Sequence, residues 1–475
     1  MGARMVGFLG DILPELILAG GGIAVLLVAL FTPRRLQTWM AAASALLLAV
    51  AGGFTIAQLA DPPGLTFFDT LAADGTGRWA TLLLIATALL VIGLSIEWFR
   101  SDARQGEYYF FVIFGTLGAV LLAGASDLME LVMAMMLSSV AGYTLAAFHR
   151  RSRASSEAGM KYFLLGALAN AAMVYGVAFL FGLSGTTTFT DLGTGLAGAD
   201  PLALATGFGL VLIAIAFKMG AAPVHQWIPD VAEGGPAPAA AFIMVVGKIG
   251  ALVFLARLVT VLADTELGWR PLVALLAAVT MTLGNLVALR QDDVRRLLGW
   301  SAVSQAGYGL LAVVAVGRSS LVIPSLLMFL FAYALATVAV FGVVVELRGL
   351  TDRLSYRGLA RAHPWLAGAL LVGFLSFVGI PPLGGFAAKL LLMGAVIDAG
   401  YTWLAVLTAI NSAISLVYYL RVLAPAYLEP GLEPKPVLGR VAGSAVAIAT
   451  VLVVVIGVIA QPLLRLWQVV DLLPG

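Results

Sequence analysis

Four lysines, Lys161, Lys218, Lys248 and Lys389, fall inside helix-length apolar runs of a 475-residue chain that is 61% hydrophobic and only 11% charged. An ammonium group at the centre of a lipid-spanning helix costs about 2.5–3.5 kcal/mol on insertion scales, so such a lysine needs water, a partner or a neutral state. Desolvation disfavours the charged form of an amine and brings its protonation within reach of physiological pH. Lysines so placed can take up and release protons. Lys161 sits a few residues into its run and four after Glu157, a spacing that fits either snorkelling to the headgroups or an i,i+4 pair. Lys218, Lys248 and Lys389 lie too deep for snorkelling and are predicted proton-pathway groups.

Two of the apolar runs are broken beside these lysines. Pro223 follows Lys218 by five residues, and Pro381 and Pro382 in GIPPLGG (379–385) precede Lys389. Proline removes a backbone donor and clashes with the preceding turn, which frees carbonyls that only protein or water can accommodate at membrane depth. A hydrated pocket beside Lys218 is the expectation. His225, across that break, has an ordinary pKa near 6.5 and suits a relay between Lys218 and Lys248, or a packed core position. Asp230, Glu233 and the PAP of 236–238 are read as capping and turning the chain into the next helix.

The elements that must hold these groups are apolar segments starting near residues 14, 36, 76, 108, 127, 158, 201, 236, 269, 293, 320, 364, 401 and 441, about fourteen spans. The fold class is therefore an all-α polytopic membrane protein. The breaks fall in spans seven and twelve, five helices apart. That spacing fits two inverted five-helix repeats, 108–260 and 261–428, between an N-terminal three-helix segment (1–107) and a C-terminal helix (429–475). Discontinuous helices in corresponding places of two halves point to an ion site at the membrane midplane. Of the 27 Lys and Arg, 17 fall in odd-numbered connections, six (Arg4, Arg78, Arg257, Arg270, Arg318 and Arg465) on the opposite side, and four inside spans. The positive-inside bias puts the odd loops in the cytoplasm and both termini outside. The loops 60–75 and 184–200 read as plain connectors.

Composition narrows the chemistry further. The chain has no cysteine and three histidines, so thiolate-bound clusters, haem and zinc are unexpected in it, and no basic run suggests nucleic acid.

FKMGAAPVHQWIPDVAEGGPAP (217–238) resembles the signature F-K-x-x-x-x-P-x-H-x-W-x-P-D-x-Y-x-G-x-P of the antiporter-like subunits of respiratory complex I and related cation/proton antiporters. LPELILA (13–19), EAGMKYFLLGAL (157–168), GNLVALRQDDVRRLLGWSAVSQAGY (284–308) and GIPPLGGFAAK followed by INSAISLVYYLRV (410–422) are similar to the subunit N family of NADH:quinone oxidoreductase. The resemblance covers essentially the whole chain. It implies a bacterial inner-membrane protein, for which the outer side assigned to both termini by the charge bias is the periplasm. Its implied partners are other membrane-arm subunits, another antiporter-like one among them, and the lipid bilayer. NADH, FMN, iron–sulfur clusters and quinone are implied elsewhere in the complex, with none bound by this chain and no active site of its own. By likeness, Lys218 is the pump lysine, Lys248 the bridging lysine, Lys389 the exit lysine toward a neighbour, and Lys161 an auxiliary group.

The chain also departs from the pattern. Where the family carries a fifth-helix glutamate beside the pump lysine, DLMELVMAMML (127–137) has Met136, which leaves protonated Lys218 without a carboxylate partner. Glu130, six residues earlier, is about 9 Å away along the axis and on another face, so it reads as a weak substitute or as an interfacial acid at a helix start. Gln305 stands where a histidine is common and Ala232 where a tyrosine is; Gln305 cannot titrate and would carry a proton only by ordering water. Three functions follow as expectations: a proton-translocating subunit coupled to quinone reduction elsewhere, a subunit of a cation/proton antiporter, or a structural membrane-arm subunit that no longer pumps.

Overall fold

A backbone crossing lipid must satisfy its own N–H and C=O groups, so the apolar runs become helices. The computed structural model describes residues 9–262, 265, 267–431 and 439–473. Arg4 and Lys435, counted above among the basic residues, lie outside the described residues. In chain order the helices begin with α1 (Leu13–Phe31), α2 (Trp39–Gln58), α3 (Gly75–Trp98), α4 (Gln105–Gly124), α5 (Leu128–Ala146) and α6 (Arg153–Ser184). The short α7 (Phe189–Gly195) leads to α8 (Pro201–Met219), α9 (Trp227–Gly234), α10 (Ala237–Val261), α11 (Trp269–Ala288), α12 (Val294–Val314) and α13 (Val322–Glu346). After α14 (Leu359–Ala362) come α15 (Pro364–Val378), α16 (Gly384–Asp398), α17 (Thr402–Leu428), α18 (Arg440–Val458) and α19 (Ala460–Trp467).

Thirteen described helices are long and apolar enough to cross a membrane. The remaining expected span, near 364, is a pair of 15-residue helices, α15 and α16, on either side of the GIPPLGG break. The seventh span likewise divides into α8 and the eight-residue α9. Aspartates ahead of the apolar runs set the starts of several spans. Asp74, Asp127, Asp200 and Asp293 each accept a hydrogen bond from a first-turn N–H, at 2.6–3.2 Å, a cap of about 1 kcal/mol. Two of these caps share a further device. Around Asp127, Leu128 donates to the Thr187 carbonyl and Phe189 to Ser126, while around Asp293, Val294 donates to Thr351 and Arg353 to Asp292.

The centre is α10, buried along its membrane-length window, with α12 and α13 nearly as enclosed. It contacts α3, α4, α8, α12 and α13, so a side chain on α10 is reached from both halves of the chain.

Two expectations are corrected. Loop 60–75, read as a plain connector, holds an antiparallel hairpin, β1 (Gly64–Thr66) paired with β2 (Leu71–Ala73) in the register Leu65 to Ala72, a small departure from an all-α chain. Arg257, counted with the outer connections, lies inside α10 and is fully buried in an ion pair with Asp74 at 2.6 Å. A sliding window assigns an arginine near the end of an apolar run to the loop, because composition does not reveal a carboxylate waiting for it in another helix.

Candidate functional site: a buried lysine axis

At the first break, α8 ends on Gly220 in the left-handed region (φ +76°), which a glycine adopts without strain. Ala221 donates back to the Ala216 carbonyl at 2.8 Å, and the Trp227 indole donates to the Phe217 carbonyl at 3.1 Å. The second break repeats this. Gly379 (φ +91°) ends α15, Ile380 donates to Leu375 at 3.0 Å, and the freed Val378 carbonyl accepts a hydrogen bond from the Lys389 ammonium at 3.1 Å. The Ala222–Pro223 and Pro381–Pro382 bonds are both cis. Carbonyls released by the breaks are thus taken by an indole in one half and a lysine in the other.

Lys218, Lys248 and Lys389 are all buried, at 3%, 1% and 5% exposure, which rules out snorkelling for the three. Lys218 Nζ donates to Ser139 Oγ of α5 at 3.2 Å. Its stem runs beside Gly247 of α10, where a Cβ would lie 3.5 Å from Lys218 Cε and 3.1 Å from its carbonyl oxygen. Lys248, the next residue, turns its Nζ toward the end of α8, 4.0 Å from where a Cβ on Gly220 would be. It donates to the Met244 carbonyl at 3.3 Å and lies 5.4 Å from the ring centre of Tyr333, whose hydroxyl donates to the same carbonyl at 2.9 Å. Lys389 also donates to Ser412 Oγ at 2.9 Å, with its Nζ 4.0 Å over the Tyr308 ring. Carbonyl-rich helix C-termini favour cations, and the two half-helices α8 and α15 present theirs to Lys248 and Lys389.

A cavity of about 10 Å³ adjoins Lys389 and is bounded by Gln305, Tyr333 and Ser376, room for about one water. The hydrated pocket is expected beside Lys218; this cavity lies instead at the second break, beside Lys389. Gln305, which also donates to the Phe377 carbonyl at 3.4 Å, stands where an ordered water needs a partner. Tyr333 therefore connects Lys248 on one side with this cavity and Lys389 on the other. Behind Tyr308 the polar interior continues: Asn285 donates to Tyr308 at 3.1 Å and to Asn411 at 3.0 Å, and Tyr418 donates to Asn285 at 2.9 Å.

The other sequence candidates go elsewhere. Lys161 has an exposed side chain (45%) and pairs with Glu157 at 2.7 Å and Asp230 at 2.9 Å. At 32 residues, α6 is roughly 48 Å long, well over the ~30 Å hydrocarbon thickness, so it is longer than a crossing needs. Asp230 and Glu233 do not cap: both pair with Arg296, at 2.8 and 2.7 Å, so α9 is held by charge between α6 and α12. His225 is buried with its ring 5.2 Å from that of Trp300, and no hydrogen bond among the described residues joins it to Lys218 or Lys248. Glu130 is buried in the first turn of α5, nine residues or roughly 13 Å from Ser139, so the structure does not bring it to Lys218. Met136 is 48% exposed, and the side chain that α5 gives Lys218 is Ser139, three residues further on.

Ser139, Tyr333, Tyr308 and Ser412 were not legible as site residues. Nothing in FLFAYALATV sets Tyr333 apart from core aromatics, whereas Tyr308 and Ser412 stood within stretches already noted for their resemblance. One substitution tests the packing of the first lysine. Gly247→Val is expected to push Lys218 off Ser139 and lower proton translocation at least tenfold while leaving the chain in the membrane; acidification of sealed vesicles, with the amount of inserted chain as control, measures it.

Half-helices whose carbonyl ends meet buried lysines define a polytopic membrane subunit of the antiporter type. The family described as NADH:quinone oxidoreductase/Mrp antiporter, TM, matches residues 125–415. NADH-quinone oxidoreductase subunit N of Mycobacterium sp. (strain JLS) is 39% identical over 459 residues, covering 96% of this chain and 97% of that protein. Subunit N 1 of Streptomyces griseus is 41% identical over 418 residues, 88% of each chain. A chain of respiratory complex I from Thermus thermophilus superimposes with a TM-score of 0.82 at 31% identity, over 97% of this chain and all of that one. A chain of the Mrp complex from Dietzia sp. shares the fold at 20% identity and a TM-score of 0.80, covering 96% of both. The chain belongs to the NADH:quinone oxidoreductase/Mrp antiporter family, on its subunit N branch.

Proposed function

We propose that this chain is a proton-translocating membrane subunit of an NADH:quinone oxidoreductase, in which protons move along Lys218, Lys248 and Lys389 while quinone reduction proceeds in other subunits. The observation that supports this reading is the row of buried groups from Lys218 against Gly247, through Lys248 and Tyr333, to the cavity at Lys389. Coupled sites titrate together, so a proton on one amine shifts the occupancy of the next. NADH, FMN, iron–sulfur clusters and quinone then belong to other subunits. Lys389 would hand its proton toward a neighbouring antiporter-like subunit.

Two inverted repeats, 108–260 and 261–428, suit this path, flanked by 1–107 and 429–475. Their support is the matched pair of glycine-ended breaks at Gly220 and Gly379 and the matched strand-like contacts at Asp127 and Asp293. Gly118 backs onto Ser138 and Gly284 onto Ser304 in the same way. Five crossings separate the members of each pair, an odd number, so they face opposite sides. The charge count supports an inner-membrane orientation with both termini periplasmic.

An affinity-tagged chain purified in mild detergent tests the assignment. Flavin and iron–sulfur subunits are expected to come with it; recovery of membrane proteins alone would favour a cation/proton antiporter. Lys218→Ala in the assembled complex is expected to lose proton pumping. Unchanged pumping with intact assembly would make the chain a structural subunit, the reading that Met136 supports.

A further inference from the structure

Three odd-numbered connections meet at one end of the bundle. An open cavity of about 740 Å³ there is lined by Arg34, Asp102, Arg104, His149, Arg150 and Arg151. A second hollow of about 440 Å³ shares Arg104 and Arg150 and runs on along Phe111, Tyr143, Met160 and Phe163, between α4, α5 and α6. We propose that this arginine basin and the groove continuous with it bind an anionic phospholipid, the headgroup phosphate in the basin and an acyl chain in the groove.

Charge and its availability support this. Four guanidinium groups face two carboxylates, Asp102 in the basin and Glu107 in the groove. Arg104 is already engaged, with Asp102 at 3.6 Å, the Phe148 carbonyl at 3.0 Å and the Phe148 ring at 4.7 Å. Arg34, Arg150 and Arg151 are exposed and have no side-chain hydrogen bond or ion pair among the described residues. Guanidinium groups bind phosphate oxygens bidentately. Burial first, then Arg104 and Arg295, hold the His149 imidazole below its ordinary value against the pull of Asp102, so near neutral pH the basin's positive charge is that of its arginines.

The groove chooses between a free anion and a lipid. A free phosphate needs only the basin, whereas here the basin opens onto exposed apolar side chains, Met160 and Phe163 among them, at 57% and 49% exposure. Basic pockets between helix ends at the headgroup level recognise anionic lipids, with each arginine contributing about fivefold in affinity. This site stands independently of proton translocation.

Mass spectrometry of the assembled complex, after exposure to vesicles of phosphatidylcholine with graded phosphatidylglycerol and mild delipidation, counts the retained lipid. The wild type is expected to retain phosphatidylglycerol in preference to phosphatidylcholine. The variant Arg34→Gln/Arg150→Gln/Arg151→Gln should bind it about a hundredfold more weakly, and Met160→Trp, which fills the groove, should also weaken it. If the triple variant does not assemble, Arg151→Gln alone, expected to lose about fivefold, carries the test. Equal retention of phosphatidylcholine, unchanged retention in the variants, or displacement by millimolar inorganic phosphate would each overturn the proposal. So would loss of a neighbouring protein subunit with lipid retention unchanged, which would make the basin a protein contact.

Discussion

Replacing Lys389 by methionine is expected to lower proton translocation by the assembled complex about a hundredfold, the scale of losing a group that takes and gives protons in a transfer path. Lys389 has two roles that a second substitution separates. Its ammonium also donates to the Val378 carbonyl at 3.1 Å and to Ser412 at 2.9 Å. Methionine leaves that carbonyl buried without a partner, a cost of about 1–3 kcal/mol. Lys389→Arg keeps a donor for the carbonyl but does not give up its proton. Thermal stability is therefore expected to fall in the methionine variant and hold in the arginine variant, with pumping lost in both. Dye-reported acidification of sealed vesicles, beside a melting curve of the complex, measures the pair; pumping that survives in Lys389→Arg would remove Lys389 from the path.

The second large effect lies away from the lysines. Arg257 of α10 and Asp74 ahead of α3 form a fully buried ion pair. Arg257 also donates to the Ala123 carbonyl at 3.2 Å and to the Leu473 carbonyl, and the Leu473 N–H donates to Asp74 at 2.8 Å. One pair thus joins α3, α4, α10 and the C-terminal segment. Removing one partner of such a pair costs about 3–5 kcal/mol, because the other charge stays buried alone. Arg257→Leu is expected to leave little folded chain in the membrane and to open residues near Leu473 to protease. Asp74→Leu should do the same and in addition lose the α3 cap on Gly77. The amount of membrane-inserted chain and limited proteolysis report both.

Much of the scaffold was legible because lipid leaves few choices: a run of apolar residues long enough to cross must be helical. The prolines marked both breaks for the same reason. What the sequence could not convey was facing. Resemblance to the family would put a glutamate at position 136, but helical rotation turns Met136 outward and Ser139 inward, a distinction that a nearly all-apolar helix does not encode. Lys161 reads as intramembrane by composition, whereas its exposed side chain is held in ion pairs by Glu157 and Asp230. The use of Lys389 and Trp227 to satisfy the carbonyls freed at the two breaks depends on tertiary placement, as does Tyr333, hidden among the aromatics of an apolar helix. Asp230 and Glu233 carried the composition of helix-start caps, yet Lys161 and Arg296 compete for them more strongly.

The most direct measurement is the number of protons translocated per electron by the complex carrying Lys248→Met, reconstituted in sealed vesicles. Lys248 stands between Lys218 and the Tyr333 link to Lys389, on the most enclosed helix, and makes no ion pair among the described residues. Translocation per electron is expected to drop, with the complex still assembled. A wild-type ratio in that variant would contradict a path through the three lysines.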